Sequence, residues 1–196
     1  AYLILNDDLP NKNQLSEFKK NERNNREISG NLKSIIKNYP KKAHPMDTTR
    51  TSISHMGLED PDASDNSKEA NMRKSLRLLA KISTAVAANF RVRKGQDIIE
   101  PNNDLDFCEN FFHMCFGKVP SKEVVKAFDA SMTLYAEHSF NASTFTSRVI
   151  TSSLSDMHGA VTGAVASLKG PLHGGANEAV APVSYTHLRA HETALD

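Results

Sequence analysis

Few stretches of this chain carry side chains suited to chemistry, and one of them stands out. Leu168 to Val180 reads L-K-G-P-L-H-G-G-A-N-E-A-V, with Gly170, Pro171, Gly174 and Gly175 surrounding a single histidine, His173. Glycine reaches backbone geometries closed to other residues and proline fixes its own φ, so the segment is a shaped loop. It holds an imidazole where backbone can come close to a ligand. The plain alternative is a helix–helix connection with an incidental histidine. A second polar cluster, E-H-S-F-N-A-S from Glu137 to Ser143, crowds His138, Asn141 and Ser143 at a helix junction. On its own it reads as capping, since Asn and Ser are good N-caps.

Other candidates are weaker. Cys108, His113 and Cys115 share one expected helix. Zinc sites use about four ligands with close Cys pairs, and a spacing of five puts Cys108 and His113 on different faces, so buried thiols beside Phe111 and Phe112 are the better reading. His187 and His191 are an i, i+4 pair without the intervening Glu of a metalloprotease helix. No metal site is expected. Two cysteines make no disulfide framework, which favours a reduced, cytoplasmic setting.

The elements that must position the loop read as helices. Asn11 and Gln14 have capping-box spacing, and a helix over 31–38 turns Leu32, Ile35 and Ile36 inward. His44-Pro45 opens a third helix, with Ile53 and Met56 buried and Gly57 closing it. A long helix over 67–94 carries Met72, Leu76, Leu79, Ile82, Val86 and Phe90 at spacings of three or four, which predicts an inward stripe. Further helices are expected over 105–116, 121–137, 143–153 and 156–168. The one over 143–153 is ambiguous, because its Thr, Val and Ile favour strand. The helix over 156–168 is thin, with Gly159, Ala160, Gly163, Ala164 and Ala166, and can pack very close to another backbone. The fold class is all-α, multi-helical.

The 196 residues suffice for one domain with a sizeable core. Net charge is +1 but uneven: residues 1–98 carry 18 Lys and Arg against 12 Asp and Glu, while 99–196 carry 6 against 11. The basic residues alternate with acids and lack aromatic platforms, so they read as a solvated helical surface, with no nucleic acid partner. No apolar run approaches the ~20 residues of a membrane span, so no membrane partner is expected.

The thirteen-residue loop, together with the stretch from Tyr135, resembles the active-site region of the citrate synthase family, including the 2-methylcitrate synthases. Weaker resemblance runs back through A-H-P-M-D (Ala43 to Asp47) to L-N-D-D-L-P (Leu5 to Pro10). The resemblance implies a large-domain portion over 1–180, truncated before the family's small domain. It implies an acyltransferase that condenses acetyl-CoA or propionyl-CoA with oxaloacetate, with no cofactor, as a homodimer or higher homo-oligomer. His173 matches the family's catalytic donor to the thioester oxygen. Ser143 or Asn141 would hold its other ring nitrogen. His138 and Asn141 would bind substrate, and Gly174 and Gly175 would let backbone approach the reacting pair. His138 and His173 are therefore expected to converge across a helical hairpin.

The family's second histidine, catalytic aspartate and arginines lie later than this sequence runs, so the chain by itself is expected to be inactive. The chain does not begin with Met, so an earlier start is expected. After Val180 the resemblance stops. Residues 181–196, P-V-S-Y-T-H-L-R-A-H-E-T-A-L-D after Ala181, are expected to be a non-native tail, with His187, Arg189 and His191 carrying no function. The dimeric family also implies that the thin helix packs against another subunit. Two rivals remain: a 2-methylcitrate synthase specifically, and a helical interaction module without catalysis.

Overall fold

The 26-residue helix α5 (Lys68–Arg93) is the axis on which the other elements pack. The structure, a computed structural model, describes residues 1–136, 140–176 and 178. Among them the order is α1 (Tyr2–Asn6), α2 (Lys12–Asn24), α3 (Gly30–Asn38), α4 (Pro45–Glu59), α5, α6 (Phe107–Phe116), α7 (Lys122–Leu134), α8 (Ala142–Ser152) and α9 (Met157–Leu168), with no strand. The fold is all-α.

The caps explain the boundaries. Asn11 and Gln14 form the expected capping box, with both hydrogen bonds at 2.9 Å. Ser29, Ser67 and Asp156 accept from the third amide of α3, α5 and α9. Each satisfies a donor left orphaned at a helix start. Segment 143–153 is helical because Asn141 caps α8, its side chain accepting from the Thr144 amide. The cap and the antiparallel packing on α9 override the strand preference of Thr, Val and Ile.

One expectation is corrected. Gly57 does not close α4, which runs on to Glu59. Its role is spatial: a Cβ there would stand 2.8 Å from His158 Cβ, so only glycine lets α9 come this close to α4. Gly57→Ala is expected to cost about 1–3 kcal/mol by overpacking, read as a lower urea midpoint with unchanged slope. Within the chain the thin helix α9 packs on its neighbours. Its main partners are α8 and α4, and a Cβ on Gly163 would meet Ile150 Cδ1 at 2.3 Å, so that side-chain end would have to turn away.

The main core joins Ile28, Leu32, Ile36, Ile53, Met56, Leu78, Ala85 and Ala88, covered by Val161 and Val165 of α9. Each fully buried Leu or Ile contributes about 1.5–3 kcal/mol. The inward face of α5 differs from the expected stripe. Ala70, Leu78, Ala80, Ala85, Ala87 and Ala88 are buried, whereas Met72, Leu76, Leu79, Ile82, Val86 and Phe90 are half-buried. Helices crowd α5 from several sides, so its closest contacts need small residues. A second cluster of Ala87, Met114 and Cys115 seats α6 against α5.

Two cations also lie in the interior. Arg26, 1% exposed, donates to both carboxylate oxygens of Glu22 at 2.8 and 2.7 Å and to the carbonyls of Asn102 and Leu105 at 2.9 Å. This ties α2 to the loop before α6. Lys74 is fully buried and donates to the Asp65 carbonyl.

Candidate active site

α8 and α9 form an antiparallel hairpin, so the loop leaving α9 returns to the start of α8. There His173 Nε2 lies 3.0 Å from Ser143 Oγ, 30 residues away in sequence. Ser143 Oγ is in turn 2.7 Å from Asn141 Oδ1. The same Asn141 oxygen accepts from the Thr144 amide at 2.7 Å, which identifies it as carbonyl oxygen. Asn141 Oδ1 can only accept, so Ser143 donates its one proton there. The Ser143 oxygen then accepts from His173 Nε2–H, which leaves Nδ1 as an acceptor on the neutral ring. The expectation that Ser143 or Asn141 holds the ring thus resolves into a relay: Ser143 directly, Asn141 through Ser143.

The glycines also meet a demand of the loop itself. None of Gly170, Gly174 and Gly175 has a left-handed backbone. A Cβ on Gly174 would stand 2.7 Å from the Leu168 carbonyl oxygen, and one on Gly175 would stand 2.6 Å from that of Lys169. These positions demand glycine for a close approach to the loop's own turn. That turn is closed by His173 and Gly175 amides on the Gly170 carbonyl, at 2.9 and 3.1 Å. His138 lies outside the described residues, as do His187, Arg189, His191 and the rest of 181–196.

Sequence reading missed four side chains around the loop. Lys169 Nζ donates to Asp47 Oδ2 at 2.7 Å, and His44 Nε2 lies 3.1 and 3.2 Å from the Glu178 carboxylate oxygens. The Lys169 hydrogen bond, helped by its charge and by Arg50 and His44, holds the Asp47 carboxyl below the usual range although burial opposes it. The H-P-M-D run was the available signal, but as a helix start it says nothing of contacts more than a hundred residues away.

A second polar group sits where α4 and α9 meet. Arg77 grips Asp60 at 2.6 and 2.8 Å and reaches Asp62 at 2.6 Å, with Arg73 also on Asp62. Arg73 and then Arg77 hold Asp62 well below the carboxylate range. At Asp60 burial pushes up, but the Arg77 hydrogen bonds outweigh it. His158 is 2% exposed; burial pushes its pKa down against the raising effect of Asp60 and Asp156. These directions fix the pH response. A histidine lowered in the folded state takes up protons more readily when unfolded, so stability falls as pH drops through the ordinary range near ~6.5. The lowered Asp60 and Asp62 contribute stability above the ordinary carboxylate range, near ~4, and lose it as pH falls further. Urea midpoints measured from pH 8 to pH 3 should decline in those two stages.

Cys108 and Cys115 are free and buried, their thiols pushed up to about 12 and about 11 chiefly by burial, which makes them packing residues rather than nucleophiles. Among the described residues no three His, Cys, Asp or Glu side chains gather closely enough to hold a metal ion, and no helix is long and apolar enough to cross a membrane.

This all-α hairpin with a glycine-loop histidine has known counterparts. The family described as "Citrate synthase, C-terminal domain" matches residues 1–186. The chain belongs to the citrate synthase family. It is 49% identical over 180 residues to a 2-methylcitrate synthase of Mycobacterium tuberculosis H37Rv, covering 92% of this chain and 45% of that protein. A citrate synthase of Mycolicibacterium smegmatis is equally similar, 49% over 180 residues, covering 92% of this chain and 48% of that one. Among solved structures, citrate synthase from Pyrobaculum aerophilum superposes with a TM-score of 0.87 at 35% identity, over 91% of this chain and 47% of that one. Citrate synthase from Thermoplasma acidophilum, solved as a ternary complex with carboxymethyl coenzyme A and oxaloacetate, gives 0.87 at 27% identity, over 91% of this chain and 47% of that one. The chain spans about half the length of the relatives it matches.

Proposed function

We propose that the complete protein condenses acetyl-CoA or propionyl-CoA with oxaloacetate, giving citrate or 2-methylcitrate and free coenzyme A. The observation that carries this is the His173–Ser143–Asn141 relay in a chain of this family. The hard step is loss of a weakly acidic proton from the acyl α-carbon, as charge builds on the thioester oxygen. A fixed donor at that oxygen lowers the barrier. His173 is that donor. It donates from Nδ1–H in the other tautomer, reached when Nε2 gives its proton to solvent and Nδ1 takes one up, with Ser143 then turned to donate to Nε2. The enol carbon then bonds to the ketone carbon of oxaloacetate, whose oxygen takes a proton. Water finally cleaves the C–S bond and releases coenzyme A.

His138 and Asn141 bind oxaloacetate, and Gly174 and Gly175 bring the backbone near the reacting pair. The general base and the carboxylate-gripping arginines are contributed from outside residues 1–180. The Thermoplasma neighbour, solved with a coenzyme A derivative and oxaloacetate, supports the substrate pair. Relatives at 49% identity include both product types, so the acyl chain remains acetyl or propionyl. The protein works without a cofactor, in the cytoplasm, as a homodimer or higher homo-oligomer. Exposed apolar side chains on α7 and α8, among them Met132, Leu134, Phe145 and Val149, support burial in a larger assembly.

The test is coenzyme A release by the complete protein from each acyl-CoA, with the tricarboxylate identified by mass. Release that requires oxaloacetate supports the reading. Release without it, or none with either acyl-CoA, overturns it.

A further inference from the structure

Among the described residues of the loop that carries His173, the apolar side chains face solvent. Leu172 is fully exposed, and Pro171 and Ala176 are exposed too. It is held instead at both ends by polar contacts, and both land on the first turn of α4. Before the loop, Lys169 donates to Asp47 at 2.7 Å; after it, Glu178 meets His44 at 3.1 Å. His44 is the N-cap of α4, its Nδ1 accepting from the Met46 amide at 3.2 Å. That bond leaves the proton on Nε2, which donates to Glu178. The helix start is itself pinned, since Arg93 near the end of α5 donates to the Ala43 carbonyl at 2.9 Å.

We infer that His44 and Asp47 form a two-point clamp that positions the His173 loop for turnover, with Lys169 and Glu178 as its handles. The inference rests on the catalytic reading of His173. The clamp fixes where the imidazole sits, while Ser143 fixes how the ring is turned. Pairs this exposed contribute little to global stability, so the clamp acts on geometry. A misplacement of about 1 Å from a residue away from the chemistry can cost ~10²-fold in rate. Lys169, Glu178, His44 and Asp47 are therefore positioning residues.

The experiment uses Lys169→Met, Glu178→Ala and the double variant in the complete protein; His44 is left intact because it also caps α4. The expected result is kcat lower by about 10-fold for each single variant and up to ~10²-fold for the double. KM for oxaloacetate and the melting temperature stay near wild type, and amide hydrogen exchange across residues 170–176 speeds up. Glu178→Gln should restore most of the rate, because an amide carbonyl still accepts from His44 Nε2–H. Wild-type kcat in the double variant, or Glu178→Gln as slow as Glu178→Ala, overturns the clamp. An inactive wild-type protein would overturn the condensation reading instead. Unchanged exchange at 170–176 in the double variant would then still overturn the clamp.

Discussion

His173→Ala in the complete protein should lower turnover with acyl-CoA and oxaloacetate by about 10²–10³-fold, the scale of losing one preorganised oxyanion donor. The expectation follows from what surrounds the ring. Its Nε2 lies 3.0 Å from Ser143 Oγ, so the ring arrives at the reaction already oriented whichever of the two donates. The loss should fall on kcat more than on the oxaloacetate KM, because the donor bonds an oxygen that becomes anionic only in the transition state. Ser143→Ala keeps the imidazole and loses only its orientation, so its loss should be smaller. Steady-state kinetics on both variants check this. Full activity in His173→Ala, or a larger loss in Ser143→Ala, would remove the role given to the loop.

Glu22→Ala should destabilise the protein by about 3–5 kcal/mol, because it leaves Arg26 as an uncompensated buried charge. Arg26 is 1% exposed and its guanidinium already serves two backbone carbonyls, so it cannot swing out to water. Against a typical stability of about 5–15 kcal/mol, this is a large share. The contrast is Lys19–Asp106, an exposed pair at 3.1 Å, where Lys19→Ala should cost no more than about 1 kcal/mol. Replacing both buried partners, as Glu22→Leu with Arg26→Met, should cost less than Glu22→Ala alone. Urea unfolding of the four proteins reads all three outcomes. A Glu22→Ala midpoint equal to wild type would show that the pair is not carrying its charge in the interior.

Local signals in the sequence carried the fold well, and long-range contacts account for most of what they missed. Asn11, Asp156 and the 3.6-residue periodicity are local, and each places its helix to within a few residues. Segment 143–153 came out helical because Asn141 caps it, a signal three residues long that outweighs β-branched content. Gly57 departs from expectation for a tertiary reason. A glycine looks the same whether it ends a helix or makes room for His158, and only the tertiary neighbour decides. Arg26 and Lys74 were read with the solvated basic surface, since burial of a cation depends on carbonyls and a carboxylate that folding gathers around it. At the site, the resemblance pointed to His173 and Ser143, and the hairpin brings them together. The contacts of His44 and Asp47 with Glu178 and Lys169 span 134 and 122 residues and left no local trace.

The most direct measurement of the central claim is exchange of the acyl α-protons with solvent deuterium. Malate, whose hydroxyl replaces the reactive ketone, stands in for oxaloacetate, so the acyl group can enolise but cannot condense. Mass spectrometry of acetyl-CoA and propionyl-CoA then reads enolisation alone. The complete wild-type protein should incorporate deuterium into one or both thioesters, and His173→Ala should slow that incorporation by about 10²-fold or more, with malate binding retained. Equal incorporation by the two proteins would contradict the assignment of His173 as the group that stabilises the enol.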